Sequence, residues 1–132
     1  MVDFIEHTPS PFEALQKAYH ILEPGGILCV VTPDISSFAA RVMGRRWWHI
    51  RPAHIGYFSR ESLEYCLQRA GFSVFLSRKY SWTFSIHYLL SRFDFTKFLM
   101  KTPRWASFWK KFSIKLVLHD SLEVYARKEL KT

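Results

Sequence analysis

The chain has 132 residues, 48% of them apolar, and a formal net charge of +8. That length allows one domain, and the apolar share is enough for a core, which excludes a disordered chain. No run reaches the ~18 apolar residues of a membrane span, and no signal peptide is read before Asp3.

Cys29 and Cys66 both fall in apolar positions expected to be buried. With no secretory segment read, a reducing cytoplasm is the expectation, and the spacing rules out a C-x-x-C site. The positive charge is local. Residues 78–115 carry nine basic residues (Arg78, Lys79, Arg92, Lys97, Lys101, Arg104, Lys110, Lys111, Lys115) against one acid, Asp94; the remainder balances at ten to ten.

In chain order, Ser10-Pro11-Phe12-Glu13 is a capping-box pattern with proline at the first helical position. Phe12, Leu15, Tyr19 and Leu22 follow at helical spacing, a single stripe to lay on a sheet. Pro24-Gly25-Gly26 ends that helix at Glu23 and turns the chain. Ile27 to Val31 is apolar without alternation, which predicts a parallel strand covered on both faces. Thr32, Pro33 and Asp34 leave that strand on the side where open α/β sheets bind ligands.

Ile35 to Met43 can form a short helix stopped by Gly44. Arg45 to Ile55, with Trp47, Trp48, His49, Arg51, Pro52 and His54, lacks periodicity and reads as a loop over the carboxyl edge of the sheet. Ser59 caps the next helix, whose buried face is Leu63, Cys66, Leu67 and Ala70, with Gly71 as its stop. Phe72, Val74 and Leu76 alternate with polar or outward positions as a strand does, and Leu122, Val124 and Ala126 repeat the pattern. Those two strands should pair antiparallel. Between them, residues 80–118 read as a helical insertion, with Trp105, Phe108, Trp109, Phe112 and Leu116 on one stripe among lysines.

Several phrases together resemble one family. Asp3-Phe4-Ile5-Glu6-His7, then Pro11, then a helix into Leu22-Glu23-Pro24-Gly25-Gly26, is similar to class I S-adenosylmethionine (SAM)-dependent methyltransferases. The likeness is strongest to the bacterial group that includes the quinone-biosynthesis O-methyltransferases. His54-Ile55-Gly56-Tyr57-Phe58-Ser59 and Ala70-Gly71-Phe72-Ser73-Val74 match two further phrases of that group. The resemblance covers residues 1–80 and extends to the last strand. The family's glycine-rich cofactor loop has no counterpart: the glycines are at 25, 26, 44, 56 and 71, with no G-x-G.

The resemblance therefore implies an α/β fold: the C-terminal part of a Rossmann-like methyltransferase sheet, with a parallel strand, a terminal antiparallel pair and flanking helices. Residues 1–132 would be a partial methyltransferase domain, with 80–118 as an insertion. The implied activity is methyl transfer to an oxygen of a small molecule or lipid precursor. SAM would be the cofactor, held only if a complementing chain supplies the missing half.

By the same resemblance, Val2 and Asp3 line the methionine end of the cofactor, and His54 and His7 are the catalytic candidates. A histidine of ordinary pKa suits removal of a hydroxyl proton as the methyl arrives. Asp3, Glu6 and His7 could together hold a divalent cation, as a Glu-x-x-Glu-His run does in some relatives. The preferred reading has no metal, with Glu6-His7 orienting the loop. For Asp3 the alternative is a solvated carboxylate; for His54 it is a cap or a packing role under the loop.

The basic aromatic insertion suits a substrate lid or an anionic membrane surface, which would place the protein on the inner membrane face. A nucleic acid ranks last among the partners, because the aromatics follow a packing stripe. The competing functional class is a non-catalytic remnant or interaction module that binds a membrane or partner chain through 80–118.

Overall fold

The computed structural model describes residues 1–80, 82–85, 113–116 and 119–130. The chain divides into two compact units, Met1–Tyr80 with His119–Thr132, and Ser81–Leu118.

In the first unit, α1 (Pro11–Ile21) starts after Ser10 with proline in its first turn. The expected capping box does not form, because Ser10 lies at φ −125°, ψ 79° and its side chain makes no cap hydrogen bond. The carboxyl end of α1 is closed from a distance: Lys128 Nζ donates to the carbonyls of Tyr19 (2.7 Å) and Leu22 (2.8 Å). Gly25, at φ 81°, makes the turn that follows, and its N–H donates to the Lys128 carbonyl at 2.8 Å.

Strand β1 (Ile27–Pro33) is two residues longer than its apolar run, and α2 (Phe38–Met43) is capped by the Ser37 side chain. Helix α3 (Arg60–Arg69) carries a true capping box between Ser59 and Ser62. Gly71, at φ 98°, stops it, and a Cβ there would meet the Tyr19 ring at 3.0 Å. Strand β2 is Phe72–Lys79, and the second unit contributes β3 (Trp82–Ser85) and β4 (Ser113–Leu116). Strand β5 is Ser121–Lys128.

The main sheet has the order β1-β5-β2, with β5 antiparallel to both neighbours. The pairing of the last strand with residues 72–77 is as expected. The ladder on β1 is antiparallel, and the parallel neighbour predicted from its unbroken run is represented by Val2, which bridges Val31. Leu28, Val30, Leu122, Val124, Ala126 and Phe72 face Leu15 of α1 and Leu63 and Leu67 of α3 in one core. Each such aliphatic side chain contributes about 1.5–3 kcal/mol on burial.

A register shift between Val74 and Leu76 changes the reading of β2. Leu76 is 43% exposed instead of core-facing, while Ser77 and Lys79 take the inner positions opposite Val124 and Leu122. The bulge thereby aims Lys79 at Asp34, with which it forms an ion pair.

In the second unit β3 and β4 pair antiparallel, Trp82 opposite Leu116 and Ser85 opposite Ser113. The helix expected through Leu116 is thus replaced over Ser113–Leu116 by a strand. Rows of alternating Ser-Ile-Lys-Leu satisfy a two-residue period as well as a helical one, and backbone pairing selects the former. The rest of the proposed helical stripe, Trp105 to Phe112, lies outside the described residues. No helix among the described residues is long and apolar enough to cross a membrane. Cys29 and Cys66 are free and only half-buried, and burial pushes the Cys66 thiol pKa up.

Candidate functional site

At the carboxyl end of β1 three segments meet: residues 2–8, residues 32–37 and the loop 44–58. Val2 bridges Val31, and the Asp3 N–H donates to the Val31 carbonyl at 3.1 Å. Asp3 then turns the chain at φ 46°, uncommon for a residue with a Cβ. A short 3-10 turn, Ile5–His7, follows, burying Ile5 and Glu6 and leaving His7 exposed.

Glu6 is the hub of these contacts. Its carbonyl accepts from the N–H groups of Ile55 and Gly56, both at 3.0 Å. Its side-chain Oε2 accepts from Thr32 Oγ1 at 3.0 Å, while Oε1 is buried without a partner. Thus the Asp-x-x-Glu-His phrase and the His-x-Gly phrase, half a unit apart in sequence, are joined through one residue.

His7 is fixed by the same loop. Its Nδ1 is 2.6 Å from the Ala53 carbonyl, a contact in which Nδ1 must donate. The lone pair is therefore on Nε2 of an exposed ring. His54 differs: it is only 5% exposed, and Arg51 Nε donates to its Nε2 at 3.0 Å. Burial first, then the nearby Arg51, His7 and His49, push the His54 pKa down to about 4. Neutral at ordinary pH and with that lone pair occupied, His54 is poorly placed to take a proton. It instead packs edge-on against His7 (4.7 Å between centroids) and stacks on His49 (5.9 Å).

His49 and Asp120 were not read together from the sequence. Asp120 Oδ2, from the residue preceding β5, accepts from Trp48 Nε1 at 2.8 Å and lies 3.2 Å from His49 Nε2. Asp120 is 1% exposed, so this carboxylate is a buried clamp on the loop. A separation of 71 residues hides the pair from any local pattern.

Asp34 holds the other rim. Its Oδ1 accepts from the Ser36 N–H at 2.9 Å, an Asx turn that leads into α2. Burial pushes the Asp34 pKa up, but hydrogen bonds from Lys79 and Ser36 outweigh it and hold the group below the ordinary carboxylate range. Asp3 goes the other way. Burial raises its pKa more than His49, Arg51 and His7 lower it.

Glu6, His7 and His54 each place a potential ligand atom within 4.8 Å of the others. This set takes His54 in place of Asp3. The unpaired Glu6 Oε1 suits a cation, but the Arg51 N–H on His54 Nε2 brings a positive charge and occupies that lone pair. With His54 Nε2 so occupied, the three do not form an open ligand set as arranged. For SAM, Val2 and Asp3 stand at the β1 edge, and the glycine turn that would hold the rest of it is absent from the sequence.

No curated protein matches the sequence. Among solved structures, a SAM-dependent methyltransferase from Thermotoga maritima superposes with a TM-score of 0.59 at 21% identity, over 98% of this chain and 54% of that one. A SAM-dependent methyltransferase from Mesorhizobium loti gives 0.53 at 12% identity, over 95% and 58%. The [4+2]-cyclase SpnF gives 0.56 at 19%, over 98% and 49%. The chain spans about half the length of these proteins, and one of them carries a different reaction on the same fold, so the likeness shows the fold alone. Residues 1–76, more than half of the chain, match the family described as methyltransferase domain. The chain belongs to the methyltransferase domain family.

Proposed function

We propose that this chain is the acceptor side of a SAM-dependent methyltransferase that transfers methyl to an oxygen of a small molecule or lipid precursor, and that it works together with a glycine-loop half. The observation that carries the reading is the His7 ring: its Nδ1–H is anchored on the Ala53 carbonyl, and its Nε2 lone pair is left on an exposed edge near Asp3.

Bound SAM supplies an electrophilic methyl group on a sulfonium. Methyl transfer is an in-line displacement, so the protein has to position the acceptor and remove its proton. His7 Nε2 takes the hydroxyl proton as the new C–O bond forms, and the fixed tautomer keeps that nitrogen available. The Asp3 carboxylate accepts a hydrogen bond from the acceptor and sets its direction. His54 acts as a neutral wall that holds the His7 ring edge-on, a positioning part in place of a base. Glu6 and Thr32 tie the histidine turn to β1.

Calorimetry with SAM on these 132 residues alone, and together with a glycine-loop half, tests the first half of the proposal. Binding is expected only in the combined sample, where the chain should methylate phenolic or lipid-alcohol acceptors. His7→Ala should then lower turnover about 100-fold or more with SAM affinity unchanged. Absence of SAM binding in both samples would overturn the enzyme reading and favour the interaction module.

A further inference from the structure

We propose that the surface formed by α2 and the arginine–tryptophan turn after it docks on an anionic lipid bilayer. This proposal does not depend on methyl transfer, and it rests on residues of the first unit alone.

Exposed apolar side chains are dense along residues 38–50. Phe38 and Val42, four residues apart on α2, are 80% and 67% exposed, while Ala40 between them is the buried position. Trp48 and Ile50 are 45% and 42% exposed, alternating with Trp47 and His49, which are buried. Alone, exposed apolar residues are ordinary; what distinguishes these is their density and the charge around them. Residues 35–59 contain four arginines (Arg41, Arg45, Arg46, Arg51) and no acid, and all four are exposed.

The surface is also held in shape from beneath. The Ser37 side chain caps α2 by accepting from the Ala40 N–H at 3.2 Å. Trp47 is 1% exposed and pins the turn from inside. Asp120 takes the polar edge of Trp48 at 2.8 Å and leaves its apolar part outward, the arrangement of a tryptophan at a membrane–water boundary. A water-facing loop has no need of such anchors to present phenylalanine, valine and isoleucine to solvent. A bilayer with anionic headgroups answers both features: acyl chains receive the apolar tips, and the headgroups meet the arginines.

Vesicle flotation with the full chain decides the matter, comparing pure phosphatidylcholine with phosphatidylcholine containing phosphatidylglycerol. Flotation only with the anionic vesicles is expected, weakening with salt. Arg45→Gln with Arg46→Gln should reduce partitioning about fivefold per arginine. Phe38→Ser with Val42→Ser, at positions that carry none of the core, should reduce it further. Hydrogen exchange on the unmodified chain locates the contact without any variant, and new protection is expected over residues 38–50. No flotation, equal flotation on neutral vesicles, or protection confined to 80–118 would each overturn the proposal.

Discussion

In the sheet–helix frame the core is built from apolar side chains packed on one another, among them Leu15, Val30, Leu63, Leu67, Leu122 and Val124, while the buried polar residues of its strands are Thr32, Ser121 and Glu123. In the loop 44–58 and the strand ends below it, the buried side chains are Trp47, His49, His54, Glu6, Asp34 and Asp120. Among the described residues, polar atoms buried without a partner follow the same division: Glu6 Oε1, Trp47 Nε1, His49 Nδ1, His54 Nδ1 and Asp120 Oδ1 lie at the loop, against Ser77 Oγ in the frame. The frame is held by apolar packing and the loop by buried polar contacts that leave some atoms unpaired, the kind of local conflict that is expected at functional sites.

This contrast can be broken or sharpened by three measurements. The largest effect is expected in the frame: Leu63→Ala removes a fully buried side chain and should cost about 2–5 kcal/mol in chemical denaturation. If the loss were under 1 kcal/mol, the core would not be the main source of stability.

The next effect is in the loop and depends on pH. The folded state holds His54 near pKa 4 against 6.5 in the unfolded chain, so between those values the unfolded state binds more protons. Stability is therefore fully present above about pH 6.5 and falls as pH drops towards 4, by up to about 3 kcal/mol. His54→Gln should flatten that part of the pH–stability curve, and an unchanged slope would show that another group carries it.

A smaller effect is expected at the clamp. Asp120→Asn keeps the shape but loses the charge-assisted bonds to Trp48 and His49, and about 1–3 kcal/mol of stability. The diagnostic readout is the His7 ring, followed by NMR titration. A shift of its titration in Asp120→Asn would show that the clamp acts through His49 and His54 on the exposed His7 ring. No change would separate the clamp from the site.

Much of the frame was legible in the sequence because its signals are local. Ser59 as a cap, Pro24-Gly25-Gly26 as a turn, Gly71 as a stop and the alternation of the last strand each depend on a few neighbouring residues. The family phrases around His7 and His54 were also visible, and the structure brings the two histidines into ring contact. Ser10 shows the limit even there, since its capping box is present in sequence and unmade in structure.

What the sequence by itself determined, then, is most of the helices and strands of the first unit, most of their apolar positions, and the family phrases that carry His7 and His54. Those follow from periodicity, capping chemistry and the fixed backbone limits of proline and glycine. Tertiary structure alone decided which histidine keeps a usable lone pair. It set the bulge that turns Lys79 towards Asp34, and it brought Asp120 beneath Trp48. The Ala53 carbonyl on His7, the Lys79–Asp34 pair and the Asp120–Trp48 bond all join residues tens of positions apart, where burial and a neighbouring charge outweigh any local preference.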